Sequence, residues 1–143
     1  MHDANGLPSL IDLVESTREQ QLLLAFERQM RSINSGADRA LVAGFMSDAL
    51  GAPHFYGSLP DEQLSLTGAV VLGEPMPFPC RDGQSVKAAR MHTAQQLRQV
   101  ADHFSSHKLQ LRQQATGFKQ QLMQALAAQD LGAIRAVTWE LPA

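Results

Sequence analysis

From Ala94 to Ala125 the chain returns to an apolar residue every seven positions. Leu97, Phe104, Leu111, Phe118 and Ala125 form one series, and Ala94, Ala101, Lys108, Ala115 and Leu122 form a second, offset by three and four. The pattern is a heptad repeat with the second series at a and the first at d, and it predicts one long helix over about 85–129. Small residues at a beside large ones at d suggest a close helix approach on one side of the seam. Lys108 is the discordant member, because burying an unpaired ammonium is costly. Gly117 weakens the helix by about 1 kcal/mol relative to alanine.

The other elements are shorter. Ser9 followed by Asp12 has the spacing of a helix cap, and a helix is expected over Leu10–Ile33, with Leu23, Phe26, Met30 and Ile33 on one face. Asn34-Ser35-Gly36 is expected to end it. Ser35 and Asp38 repeat the cap spacing, so a second helix follows to Leu50, with Leu41, Phe45, Met46 and Ala49 as its apolar side and Gly51 and Pro53 as its stop. Ser58-Leu59-Pro60-Asp61 predicts a helical turn over Pro60–Leu64. Ala69–Leu72 has the character of a short strand without an evident partner. Pro75, Pro77 and Pro79 alternate with Met76, Phe78 and Cys80, which excludes helix and makes the segment extended. Asp82-Gly83 signals a turn. Asp130-Leu131-Gly132 punctuates the long helix, and Ala133–Trp139 forms a last short one before Pro142.

The expected fold is therefore mainly α: a helical bundle with one long heptad-patterned helix and an irregular, proline-rich central connection. One domain spans 1–143, with 1–8 a flexible tail, 9–50 two helices, 51–84 the connection and 85–143 the long helix plus a short C-terminal one. A helix of about 45 residues would run roughly 65 Å, well beyond a compact domain whose radius of gyration should be about 14–15 Å. Either it breaks, at Ser105-Ser106 or Thr116-Gly117, or its seam meets a partner. The seam residues Leu97, Ala101, Phe104, Leu111, Ala115, Phe118 and Leu122 are then the candidate surface for a homodimer or another protein.

Composition supports a folded, helix-rich chain: 44% hydrophobic, 18% charged and only 6% aromatic residues. The net charge of −2 gives no whole-molecule attraction to nucleic acid, but the charge is divided: 4 Lys/Arg against 10 Asp/Glu over 1–80, and 8 against 4 over 81–143. The e row of the heptads carries Arg98, Arg112 and Lys119, which could face phosphate, an acidic partner, or Glu15, Glu19 and Glu27 of the first helix. The single cysteine, Cys80, cannot form an internal disulfide, and no apolar run approaches the roughly 18 residues that span a bilayer. A cytoplasmic protein without membrane contact is the expectation.

Candidate chemistry is thin. His103 and His107 stand four apart and could share a metal on one helix face, but two histidines are half a site. Arg81 and Asp82 follow Cys80, yet a nucleophile also needs a base and an oxyanion site. No glycine-rich phosphate loop, dinucleotide fingerprint or nucleophile elbow is present, and no cofactor is implied. Met76 and Phe78, on a segment unsuited to a central strand, are a possible docking strip. The sequence thus favours a non-catalytic protein-interaction module (an adaptor, chaperone-like binder or small regulatory subunit) acting as a homodimer. A nucleic-acid-binding regulator using the basic face of the long helix comes second, and an enzyme or metal-binding protein without a recognisable motif third.

Overall fold

The computed structural model describes residues 10–139, and of residues 11–16 the backbone alone. The expected tail at 1–8, the Ser9 cap, the Glu15 pairing and the Pro142 stop lie outside these described parts. The elements run α1 (Leu10–Val42), β1 (Phe45–Ser47), β2 (His54–Tyr56), α2 (Pro60–Leu72), β3 (Met76–Arg81), β4 (Lys87–His92), α3 (Ala94–Ala127) and α4 (Leu131–Ala136). The helical-bundle expectation is corrected: the described residues form four helices and a four-stranded antiparallel sheet of order β1-β2-β3-β4. The irregular connection of 51–84 contains α2 and two of those strands.

The described residues divide into two compact units, one of residues 10–36 and 114–139 and the other of Ala37–Gln113. In the first, Leu22 and Ile33 of α1, Leu122 and Ala125 of α3, Ile134 of α4 and Val137 make a buried core, with Phe26, Met30 and Phe118 packed on it. Polar side chains of α1 tie down the other ends: Arg18 donates to the Gln129 carbonyl after α3 (3.3 Å), and Gln29 donates to the carbonyls of Arg135 (3.1 Å) and Val137 (2.7 Å). A guanidinium at a helix C-terminus satisfies carbonyls left without intrahelical donors.

Asn34-Ser35-Gly36 does not break α1. Gly36 is buried, and a Cβ there would meet the Trp139 ring. Its missing side chain serves a close approach, and the helix passes through it. The helix then ends at Val42, well before Leu50, because Gly44 takes a left-handed backbone (φ +97°) just ahead of β1.

In the second unit Phe45, Tyr56, Phe78 and Cys80 of the strands, Leu66 and Ala69 of α2, and Leu97, Val100 and Phe104 of α3 form the core. The short turn expected at Pro60–Leu64 extends to Leu72, so Ala69–Leu72 is helix and not strand. Glu62 accepts the Leu59 amide at its start (3.0 Å), and Gly73, left-handed at φ +70°, donates back to the Ala69 carbonyl (3.3 Å). The long helix does not begin at Ser85 but at Ala94. Thr93 and Gln96 cap it reciprocally: Thr93 Oγ1 accepts the Gln96 amide (3.1 Å), and Gln96 Oε1 accepts the Thr93 amide (2.9 Å). From there α3 is continuous through Ser105-Ser106 and Thr116-Gly117.

Candidate functional site

The β3–β4 hairpin organises the second unit. Asp82 Oδ1 accepts the amides of Gln84 (2.9 Å) and Val86 (3.0 Å), closing the turn predicted at Asp82-Gly83. Those two amides, with Arg90 behind them, hold the Asp82 carboxyl below the usual carboxylate range. Arg90 donates to Asp82 Oδ2 (3.3 Å), to the Cys80 carbonyl (2.6 Å) and to the Val86 carbonyl (3.1 Å), locking the two strands together.

Beneath the hairpin lies a buried polar pair. His92 Nδ1 stands 2.7 Å from the Arg90 carbonyl, which fixes the proton on Nδ1 and leaves Nε2 to accept the Tyr56 hydroxyl at 2.7 Å. Burial lowers the His92 pKa, and burial followed by the neighbouring Cys80 raises that of Tyr56, so both stay neutral. The pair is hydrogen-bonded within the core and lines no described cleft. It is core.

The opposite face of the sheet is open. The register places Met46, Phe55, Arg81 and Lys87 in one row across all four strands. Two further rows on the same face pair Pro79 with Ala89 and Pro77 with Met91. Met46 is 54% exposed and Met91 63%; Pro77, Pro79, Arg81, Lys87 and Ala89 are exposed too, and Phe55 is half-buried. An antiparallel sheet with one face on a core ordinarily turns polar residues outward. This one turns out methionine, proline, alanine and part of a phenyl ring, with two cations directly opposite each other. Like charges in that position repel; among the described residues neither forms an ion pair, and Arg81 donates instead to the Ser85 carbonyl (3.1 Å). A cleft of about 240 Å³ adjoins the row, lined by Phe55, Pro79, Arg81 and Lys87 together with Gly44 and Glu62. A second uncovered apolar surface lies on α2, where Leu64, Val71 and Leu72 are exposed, Val71 to 81%.

From the sequence Arg81 and Lys87 enter only as cations of the basic C-terminal half, Arg81 also as the neighbour of Cys80, and Met46 only as the apolar side of a helix; the row that joins them is not foreseen. Of the residues singled out as a site, Leu97, Phe104, Leu111 and Leu122 are buried, and Ala101, Ala115 and Phe118 pack at the edges of the two cores. The seam is filled from within the chain. Lys108 is half-buried, its ammonium over the Phe104 ring at 5.1 Å from the centroid. Phe78 is buried against Tyr56 and His92 (ring centroids 6.4 and 6.0 Å), and Met76 packs on the same core, so both face inward. Arg98 is exposed beside Asp102, with which it lines a shallow groove. Arg112 is exposed in the same unit, and Lys119 is half-buried in the other.

His103 and His107 diverge in their partners. His103 Nδ1 lies 2.6 Å from Ser47 Oγ and its Nε2 3.9 Å from Asp48, while the His107 ring faces Phe45 with Nε2 buried and unpartnered. Serine, histidine and aspartate thus meet, but Ser47 is 4% exposed, accepts the Ala49 amide, and opens onto no described cleft. Among the described residues no three potential metal ligands gather, and no helix is long and apolar enough to cross a membrane. Comparison with protein-family models, with curated proteins and with solved structures finds no match to this chain.

Proposed function

We propose that the protein is a non-catalytic interaction module that binds another protein through the open face of its four-stranded sheet. The observation that carries this reading is the row Met46–Phe55–Arg81–Lys87 with Pro77, Pro79, Ala89 and Met91 beside it. It forms an apolar, cation-bearing surface on the face of the sheet turned away from the core. Contiguous exposed apolar surface rimmed by charge is characteristic of protein contact sites. For self-association the exposed side of α2 is the available apolar surface, because Leu97, Phe104, Leu111 and Leu122 of the heptad seam are already buried.

The test is affinity capture of the tagged full chain from native lysate with nuclease present, in parallel with a Met46→Glu/Met91→Glu double variant. Both positions are exposed, so the variant should melt at the wild-type temperature. The reading expects a protein recovered by the wild type and lost by the variant. Identical recovery by both would remove the sheet face from consideration, and a partner that nuclease abolishes would favour the nucleic-acid alternative.

A further inference from the structure

The prolines of β3 decide which backbone groups of β4 are free. In an antiparallel ladder, directly opposed residues alternate between pairs that exchange both amide–carbonyl hydrogen bonds and pairs that exchange none. Pro77 and Pro79 have no amide hydrogen, so Pro77/Met91 and Pro79/Ala89 are of the second kind. The turn agrees: the Asp82 amide donates to the Val86 carbonyl (3.2 Å), and counting outward from that bonded pair leaves Arg81/Lys87 unbonded and Cys80/Ala88 bonded. It follows that Ala88, Arg90 and His92 are engaged with β3. Lys87, Ala89 and Met91 direct their amides and carbonyls away from it, toward the free edge of the sheet, since β4 is the last strand in the order.

The other edges are unsuitable for pairing. β1 has three residues, and the far flank of β3, which meets β2 at Phe55/Arg81 alone, presents two prolines. β4 offers six residues, no proline, and the same three residues whose side chains stand on the open face. We infer that β4 is a docking edge which takes an extended segment of the partner as a fifth strand, with an acidic residue set against Lys87 and apolar residues against Ala89 and Met91. This rests on the protein-binding reading above and names its partner chemistry. The charge argument is the opposed pair Arg81 and Lys87, which a carboxylate would neutralise. A second copy of β4 paired about Ala89 would set Lys87 against Met91 and bring no carboxylate to the row. An antiparallel occupant reads, from its N-terminus, apolar-x-apolar-x-acidic. Recognition of this kind draws affinity from main-chain hydrogen bonds and selectivity from alternate side chains.

The probe is a fluorescein-labelled peptide, Ser-Thr-Val-Thr-Val-Thr-Glu-Thr-Gly, titrated with the full chain by fluorescence polarisation beside a version carrying lysine for glutamate. The glutamate peptide is expected to bind at least about tenfold more tightly at low salt, with the advantage shrinking as salt is raised. Lys87→Glu should reverse the preference. Ala89→Pro should abolish binding of both peptides while the melting temperature stays near that of the wild type, because the amide it removes bonds to nothing within the sheet. Equal binding of both peptides, lost in Ala89→Pro, overturns the acidic preference and leaves edge docking intact. Binding of neither, with capture still lost in the Met46→Glu/Met91→Glu variant, overturns edge docking and leaves the sheet face as the contact. A wild-type dimer by sedimentation that Ala89→Pro dissolves overturns the foreign segment in favour of a second copy.

Discussion

In the unit of residues 10–36 and 114–139, α3 buries Leu122 and Ala125 against Leu22 and Ile33 of α1 and Ile134 of α4, helix against helix. In the unit of Ala37–Gln113 the same helix buries Leu97, Val100 and Phe104 against strand residues Phe45, Tyr56 and Phe78 and against α2. One uninterrupted heptad pattern therefore serves two different kinds of core. The spacing of seven shows that a helix has one continuous buried stripe, and it carries no information about what lies on the other side. A sheet presenting inward aromatics covers that stripe as well as a second helix does. This is why a seam that reads as a coiled coil can be satisfied within one chain.

The comparison is broken most forcefully at its two cores. Leu97 and Leu122 are both 0% exposed, one in each unit. Leu97→Ala and Leu122→Ala should each lower the unfolding free energy by about 2–5 kcal/mol, read from urea denaturation. Amide exchange on the same variants should accelerate first in the strands for Leu97→Ala and first in α4 for Leu122→Ala. Identical exchange patterns would mean that the two cores are one.

Gly36→Ala probes the helix-only unit. The added methyl must displace Trp139, and overpacking of about 1–3 kcal/mol outweighs the gain of about 1 kcal/mol in helix propensity. Because Trp139 is the single tryptophan, its fluorescence should shift to the red. An unshifted spectrum with raised stability would restore Gly36 to the role of helix breaker.

The sheet unit alone should respond to pH through His92. Burial depresses its folded pKa below the unfolded value near 6.5, so below about 6.5 the unfolded state binds the extra proton. Its contribution is complete above that pH and is lost as pH falls through the folded value. Urea midpoints at pH 8 and pH 5 should show wild type losing more stability than His92→Gln; equal losses would remove His92 from the account. At the small end, Thr93→Ala removes one half of the reciprocal cap at α3 and should cost about 1 kcal/mol, with fraying confined to the first turn by amide exchange.

Some of this was legible. The seam positions of α3, the turn at Asp82-Gly83 and the extended proline segment were all visible in residue spacing. Thr93-x-x-Gln96 was also there to be read and marks the true start of α3. It was obscured because Lys87-Ala88-Ala89-Arg90 has helical propensity, which tertiary pairing with β3 overrides. Asn34-Ser35-Gly36 misled because glycine at a close approach and glycine at a helix end look alike until Trp139 is placed. The three-residue strands β1 and β2 are too short to show alternation. Without their register the row Met46–Phe55–Arg81–Lys87 does not exist as a surface, and so no candidate site could be drawn there. The prolines held the key to the free edge, but only once β4 was known to lie opposite them.

The most direct test of the account is residue-resolved amide hydrogen exchange of the free, dilute protein across β4. The account predicts an alternation: slow exchange at Ala88, Arg90 and His92, whose amides bond to β3, and fast exchange at Lys87, Ala89 and Met91, whose amides face the open edge. Uniform protection along the strand would show that the edge is already occupied, and the docking role proposed for it would be wrong.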